Sequence, residues 1–181
     1  HIVQAVRQRN GQERHLDLTS DAQQLHLEVE RLGDVRLIVV DPISSYLGNV
    51  DSHRNTEVRV ALNPVVELAE EAGACLLCVT HLNKSSPSAL SRVTGSIAFV
   101  ASARASYVVT KDEQNPERRL MLPLKNNLAK DTSGFAYTVE EAGIGNGIIT
   151  SKVVWESEPV TVTADEALTP TGEVGNRLTD A

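Results

Sequence analysis

Aromatic residues are scarce in this chain: Phe, Trp and Tyr together make up 3% of its 181 residues. Any core must therefore be built from Val, Leu, Ile and Ala, within an overall hydrophobic content of 41%. No apolar run approaches the ~20 residues that span a bilayer, and no secretory signal is present, which argues against a membrane protein and reads as cytoplasmic. Positive charge is also short. With 17 Lys and Arg against 24 Asp and Glu, the net charge is −7. This balance argues against broad, charge-driven nucleic-acid binding and leaves room only for a local basic loop.

Several catalytic signatures are missing. Without a G-x-S-x-G elbow, a Ser-His-Asp hydrolase has no turn on which to expose its nucleophile. The five histidines have no metal-ligand spacing. No G-x-x-x-x-G-K-[ST] occurs, and no glycine is followed by lysine, so a phosphate-cradling P-loop is absent from these residues. The two cysteines, Cys75 and Cys78, form a C-x-x-C inside an apolar run. Positions i and i+3 on a strand face opposite sides and cannot jointly grip a metal, so core packing in a reducing compartment is expected. The spacing of Gly143, Gly145 and Gly147 is wrong for a dinucleotide fingerprint, and no helix follows them. No internal repeat is visible.

What is present is organised around Leu37-Ile38-Val39-Val40-Asp41-Pro42. Four apolar residues, three of them β-branched, predict a strand buried on both faces, as in the centre of a parallel sheet. Asp41 stands at its carboxyl end, the edge at which open α/β sheets bind ligands. A carboxylate fixed there suits the water shell of a nucleotide-bound Mg²⁺; the plainer reading is an acid capping a strand.

Upstream, residues 1–6 read as a strand and residues 7–14 as a polar loop. Ser20-Asp21-Ala22-Gln23 has capping-box spacing, and Leu25, Val29 and Leu32 predict an amphipathic helix stopped by Gly33. Strand, helix, strand suggests a crossover in a parallel sheet. Downstream, residues 44–54 form a loop. A helix over 56–72 places Val58, Leu62, Val65 and Ala69 on one face, with Pro64 kinking it or marking its first turn. A second apolar strand over 75–80 ends on Thr80-His81. After a polar loop at 83–94, a small-residue helix is expected from Ile97 to about Ala105. Strands follow at 107–110 and 119–124, then a hairpin of 135–141 with 148–155. From Glu156 the chain is acidic and aperiodic and reads as a linker.

Asp41 and His81 thus end two buried strands whose tips lie side by side in a parallel sheet, within reach of one ligand. A phosphate-handling site is the chemistry left, against a structural role for His81.

Residues 37–42, the segment Thr80-His81-Leu82-Asn83-Lys84 and the segment Leu122-Pro123-Leu124-Lys125-Asn126-Asn127 occur in the order found in RecA-like ATPases. Over about residues 1–155 the chain resembles the plasmid-type hexameric replicative helicases within the AAA_25 group. The resemblance implies an α/β fold: a RecA-like parallel sheet flanked by helices, with an antiparallel C-terminal extension, followed by a linker-like tail over 156–181. It implies ATP and Mg²⁺ as ligands, with Asp41 as the Walker B aspartate acting on Mg²⁺ through water. His81 falls at the polar sensor of the γ-phosphate. Lys125 matches the lysine of a Lys-x-Arg finger that reaches a neighbouring subunit's nucleotide. Asn127 stands where the arginine would be, and Arg104 and Arg119 are the candidates to replace it. A solvated strand-end lysine is the alternative for Lys125.

The loops after Asp41 and His81 correspond to those that meet single-stranded DNA in such rings. Lys84 and Arg92 are the second loop's only cations, and Tyr46 in the first loop is the nearby aromatic. The resemblance further implies a homo-hexameric ring and ATP hydrolysis coupled to movement on DNA. The P-loop and catalytic glutamate are expected upstream of His1 and a further domain downstream, leaving these residues alone inactive. Two alternatives stay open: a regulatory or recombination-mediator ATPase that unwinds nothing, and a non-enzymatic assembly module of the same fold.

Overall fold

The computed structural model describes residues 2–3, 5–8, 11–48, 50, 54–82, 89, 97–129 and 133–168. The chain divides into two compact units: His1–Lys84 with Val93–Ser102, and Ser85–Arg92 with Ala103–Ala181. Its class is mixed α/β, with a two-stranded parallel sheet in the first unit and a four-stranded antiparallel sheet in the second.

The first unit opens with strands β1 (Ala5–Arg7) and β2 (Glu13–His15), paired antiparallel. This corrects both the polar-loop reading of residues 7–14 and the strand–helix–strand crossover. The intervening turn is closed by Gly11 N–H donating to Gln8 O at 2.9 Å, so β1 pairs with its chain neighbour and not with the strand beyond the helix.

Helix α1 (Ala22–Leu32) follows. The expected capping box does not form: the first residue outside the helix is Asp21, and its side chain makes no cap hydrogen bond. Its buried carboxylate instead accepts from Arg14 Nη1 at 2.6 Å and from the Asp17 N–H at 2.8 Å. A bidentate guanidinium outcompetes a single amide for the carboxylate.

Strand β3 (Leu37–Val40) pairs in parallel with β4 (Cys75–Cys78), with Leu37 opposite Cys75 and Val40 opposite Cys78. Between them runs the 18-residue helix α2 (Asn55–Ala72). Its face of Val58, Leu62, Val65 and Ala69 is buried as the 3.6-residue period requires. Pro64 lies in the middle of this single helix and not in its first turn. The apolar face around it outweighs a proline penalty of about 3 kcal/mol. Gly73, at φ +62°, ends the helix. Leu16, Leu18, Val40, Ile43, Leu47 and Ala98 complete this core, with Tyr46 and Phe99 packed at its margin. Helix α3 (Ile97–Ser102), which supplies Ala98, is shorter than expected because Ala105 already belongs to the next strand.

The parallel pair is not buried on both faces. Leu37 and Val39 are 54% and 51% exposed, and Leu77 shares their open side. Cys75 and Cys78 are free and exposed rather than core residues. Among the described residues β3 and β4 pair only with each other, and the face bearing Leu37, Val39 and Leu77 has no covering layer.

The second unit is a meander of β5 (Ala105–Lys111), β6 (Arg118–Asn126), β7 (Phe135–Gly143) and β8 (Ile149–Trp155) in sequential order. The hairpin predicted over 135–155 is present, paired from Tyr137 opposite Trp155 to Gly143 opposite Ile149. Val108, Leu120, Leu122 and Ala136 are buried on one side of this sheet. Chain from the expected linker also packs into this unit. Val160 bridges Gly134 with hydrogen bonds of 2.6 and 2.9 Å, and the short helix α4 (Ala164–Leu168) buries Ala164. A Cβ on Gly134 would lie 2.6 Å from the Leu122 side chain, so the approach depends on glycine.

Candidate functional site

Asp41 follows β3 directly and is exposed; its peptide bond to Pro42 is cis. The ladder continues past it: Val79 N–H donates to Val40 O, and Ile43 N–H donates to Val79 O, each at 2.9 Å. The backbone thus brackets Asp41 against the continuation of β4, two residues before the exposed His81. Parallel pairing brings these two strand ends together, as the sequence pattern anticipates.

The chain leaving Asp41 is held from below. Ile43 and Leu47 are buried in the core around a 3₁₀ turn, Ile43–Tyr46. Leu18 N–H donates to Tyr46 O at 2.8 Å. Gly48, at φ +57°, packs against the Asp17 carboxylate, where a Cβ would overlap Oδ2 and come within 3.0 Å of Cγ. Asp17 is itself fixed, its Oδ1 accepting from Thr19 N at 2.9 Å and Thr19 Oγ1 at 2.7 Å. Sequence reasoning missed Asp17 and Gly48 as loop-positioning residues. The only local signal was the Asp-x-Thr turn pattern.

Two surface cavities of this unit lie elsewhere. One, of about 380 Å³, is lined by His26, Glu30, Asp34 and Glu71 among others. The other, of about 580 Å³, is lined by Leu47, Val50, Val60 and Pro64 among others. Neither includes Asp41 or His81.

Arg104, Lys125 and Asn127 gather at one corner of the second unit. Half-buried Lys125 donates from Nζ to Ala103 O at 2.8 Å, and Asn127 N–H donates to Arg104 O at 2.9 Å. The Arg104 and Asn127 residues are exposed. Opposite Lys125 in register, the buried Ser106 Oγ has no hydrogen-bond partner among the described residues. Arg119 is drawn away, donating to the Arg118 carbonyl at 3.2 Å. Its neighbour Arg118 joins Asp112 and Glu156, each at 2.7 Å, and holds both carboxyls below their usual range. Lys84 and Arg92 lie outside the described residues.

A single exposed carboxylate suits Mg²⁺, which takes one or two protein carboxylates and fills its octahedron with water and phosphate oxygens. Asp41 offers that donor. Among the described residues no three His, Cys, Asp or Glu converge as a protein-only metal cage, and no helix is long and apolar enough to cross a membrane.

A family model described as AAA domain, AAA_25, matches residues 2–87. The match supports an AAA-type, nucleotide-hydrolysing ATPase and covers both Asp41 and His81. No curated protein and no solved structure matches the chain.

Proposed function

We propose, with the AAA match as premise, that the full-length protein is a cytoplasmic, RecA-like Mg-ATPase to which Asp41 and His81 contribute adjacent groups. The observation that carries this reading is the parallel pairing of β3 with β4, whose continuations bear the two side chains. Mg²⁺, when bound, neutralises charge on the β- and γ-phosphates. Asp41 would hold it through water and fix its direction from a rigid strand end. Whichever tautomer His81 adopts, one ring nitrogen is an N–H donor that can meet a γ-phosphate oxygen.

Lys125, with Arg104 and Asn127 beside it, would act on a neighbouring subunit's nucleotide in a hexameric ring. To do so its ammonium exchanges the Ala103 carbonyl for a phosphoryl oxygen. Lys84 and Arg92 would meet single-stranded DNA, giving a helicase or other replication motor. The net charge of −7 supports a second reading, a regulatory ATPase that moves nothing.

The test is ATP turnover by the full-length gene product and its Asp41→Asn variant, with and without single-stranded DNA. For a motor, DNA stimulates turnover, and the variant loses it by on the order of a hundredfold. Asp41-dependent turnover that ignores DNA selects the regulatory ATPase. No turnover in either protein overturns the ATPase reading and leaves an assembly module.

A further inference from the structure

Although the chain has six aromatic residues, four of them share one face of the β5–β8 sheet. Strand alternation puts Tyr107, Val109 and Lys111 on the same side. Across the strands, Lys111 pairs with Arg119, Arg119 with Tyr137 and Tyr137 with Trp155, while Val109, Met121 and Phe135 form the next row. This is the side opposite the buried Val108, Leu120, Leu122 and Ala136.

Phe135 and Trp155 are 50% and 54% exposed, with Val139 and Val153 open beside them. Phe135 meets Trp155 edge to face with centroids 6.2 Å apart, and Tyr137 meets it at 4.9 Å with planes tilted by 56°. These contacts brace the indole without laying a parallel ring over it.

We propose that this face binds a single-stranded polynucleotide, with bases stacking on Trp155 and Phe135 while Lys111 and Arg119 neutralise phosphates. Stacking on a sheet-borne aromatic platform accepts any base, and nearby cations hold the backbone. Charge separates this occupant from a second copy of the chain. On the strand positions of this face Lys111 and Arg119 outnumber the single carboxylate, Glu141, although the chain as a whole carries −7. A face-to-face sheet pairing would bury two cations of each copy with too few partners, whereas phosphates supply them. The proposal uses neither Lys84 nor Arg92 and does not rest on the nucleotide reading.

Trp155 is the chain's only tryptophan, so its emission reports this face alone. The 181-residue chain is titrated with a 15-nucleotide oligo(dT), without ATP. Saturable quenching is expected, weakening with salt at a log–log slope of roughly −1.4 for two phosphates on single strands. Phe135→Ala should weaken binding at least tenfold and Lys111→Gln should halve the slope. Lys152→Gln, on the opposite side, should change neither. All three side chains are exposed, and circular dichroism checks that each variant folds. Oligonucleotide binding detected by anisotropy with Trp155 emission unmoved overturns the proposal. So does no binding at all, and so does concentration-dependent dimerisation that shifts Trp155 emission while oligo(dT) does not.

Discussion

Replacing Gly48 by alanine tests how the loop leaving Asp41 is held. Two costs follow from the geometry. At φ +57° an alanine gives up about 1 kcal/mol to left-handed backbone sterics. Its Cβ would also displace an Asp17 carboxylate that accepts two hydrogen bonds from Thr19, at 2.9 and 2.7 Å, each contributing about 1 kcal/mol. The sum is about 3 kcal/mol, or a fall of about 1.5 M in urea midpoint for a slope near 2 kcal/mol/M.

The two units can be watched separately. Helices α1, α2 and α3 all lie in the first unit and only the five-residue α4 in the second, so ellipticity at 222 nm follows chiefly the first, while Trp155 emission follows the second. Gly48→Ala should lower the first midpoint alone. In an Asp17→Ala background the same change should cost only the backbone term, giving a coupling of about 2 kcal/mol in a double-mutant cycle. A cost below about 1 kcal/mol, or no coupling, would refute the packing described for Gly48 and Asp17.

Asp21 predicts a pH dependence. Hydrogen bonding from Arg14, then from the Asp17 amide, lowers its carboxyl below the usual range. A depressed folded-state value means the stabilisation is present above the ordinary carboxylate range and is lost as pH falls through it toward the folded value. Asp21→Asn should therefore flatten the acid limb of the 222 nm stability curve below about pH 4, and an unchanged limb would exclude the role. Cys78 retains solvent access, yet surrounding atoms desolvate its thiol and push it up to about 11. In a Cys75→Ser chain, iodoacetamide labelling of Cys78 should keep rising through pH 10; a plateau below pH 9 would contradict that.

Local patterning carried far in this molecule. The period of Val58, Leu62, Val65 and Ala69 determined α2, and alternation with turn residues determined the β7–β8 hairpin, because each reflects one element meeting one apolar surface. The β-branched run before Asp41 and the apolar run before His81 likewise sufficed to pair their strands in parallel.

Tertiary structure decided what depends on distant partners. Ser20-Asp21-Ala22-Gln23 reads as a capping box until the helix starts one residue later, with Asp21 in place of Ser20 as its first flanking residue and Arg14 on the Asp21 carboxylate. Residues 7–14 read as a loop until β2 finds β1. An apolar run cannot say how many of its faces will be covered, and β3 leaves one open. The residues after Glu156 have too little periodicity to announce that Val160 and Ala164 bury themselves, since the backbone partner of Val160, Gly134, lies far upstream. The candidate site divides along the same line. Asp41 and His81 were legible because each ends an apolar run, whereas the grip of Asp17 on Gly48 joins residues about thirty positions apart and exists only once the chain has folded.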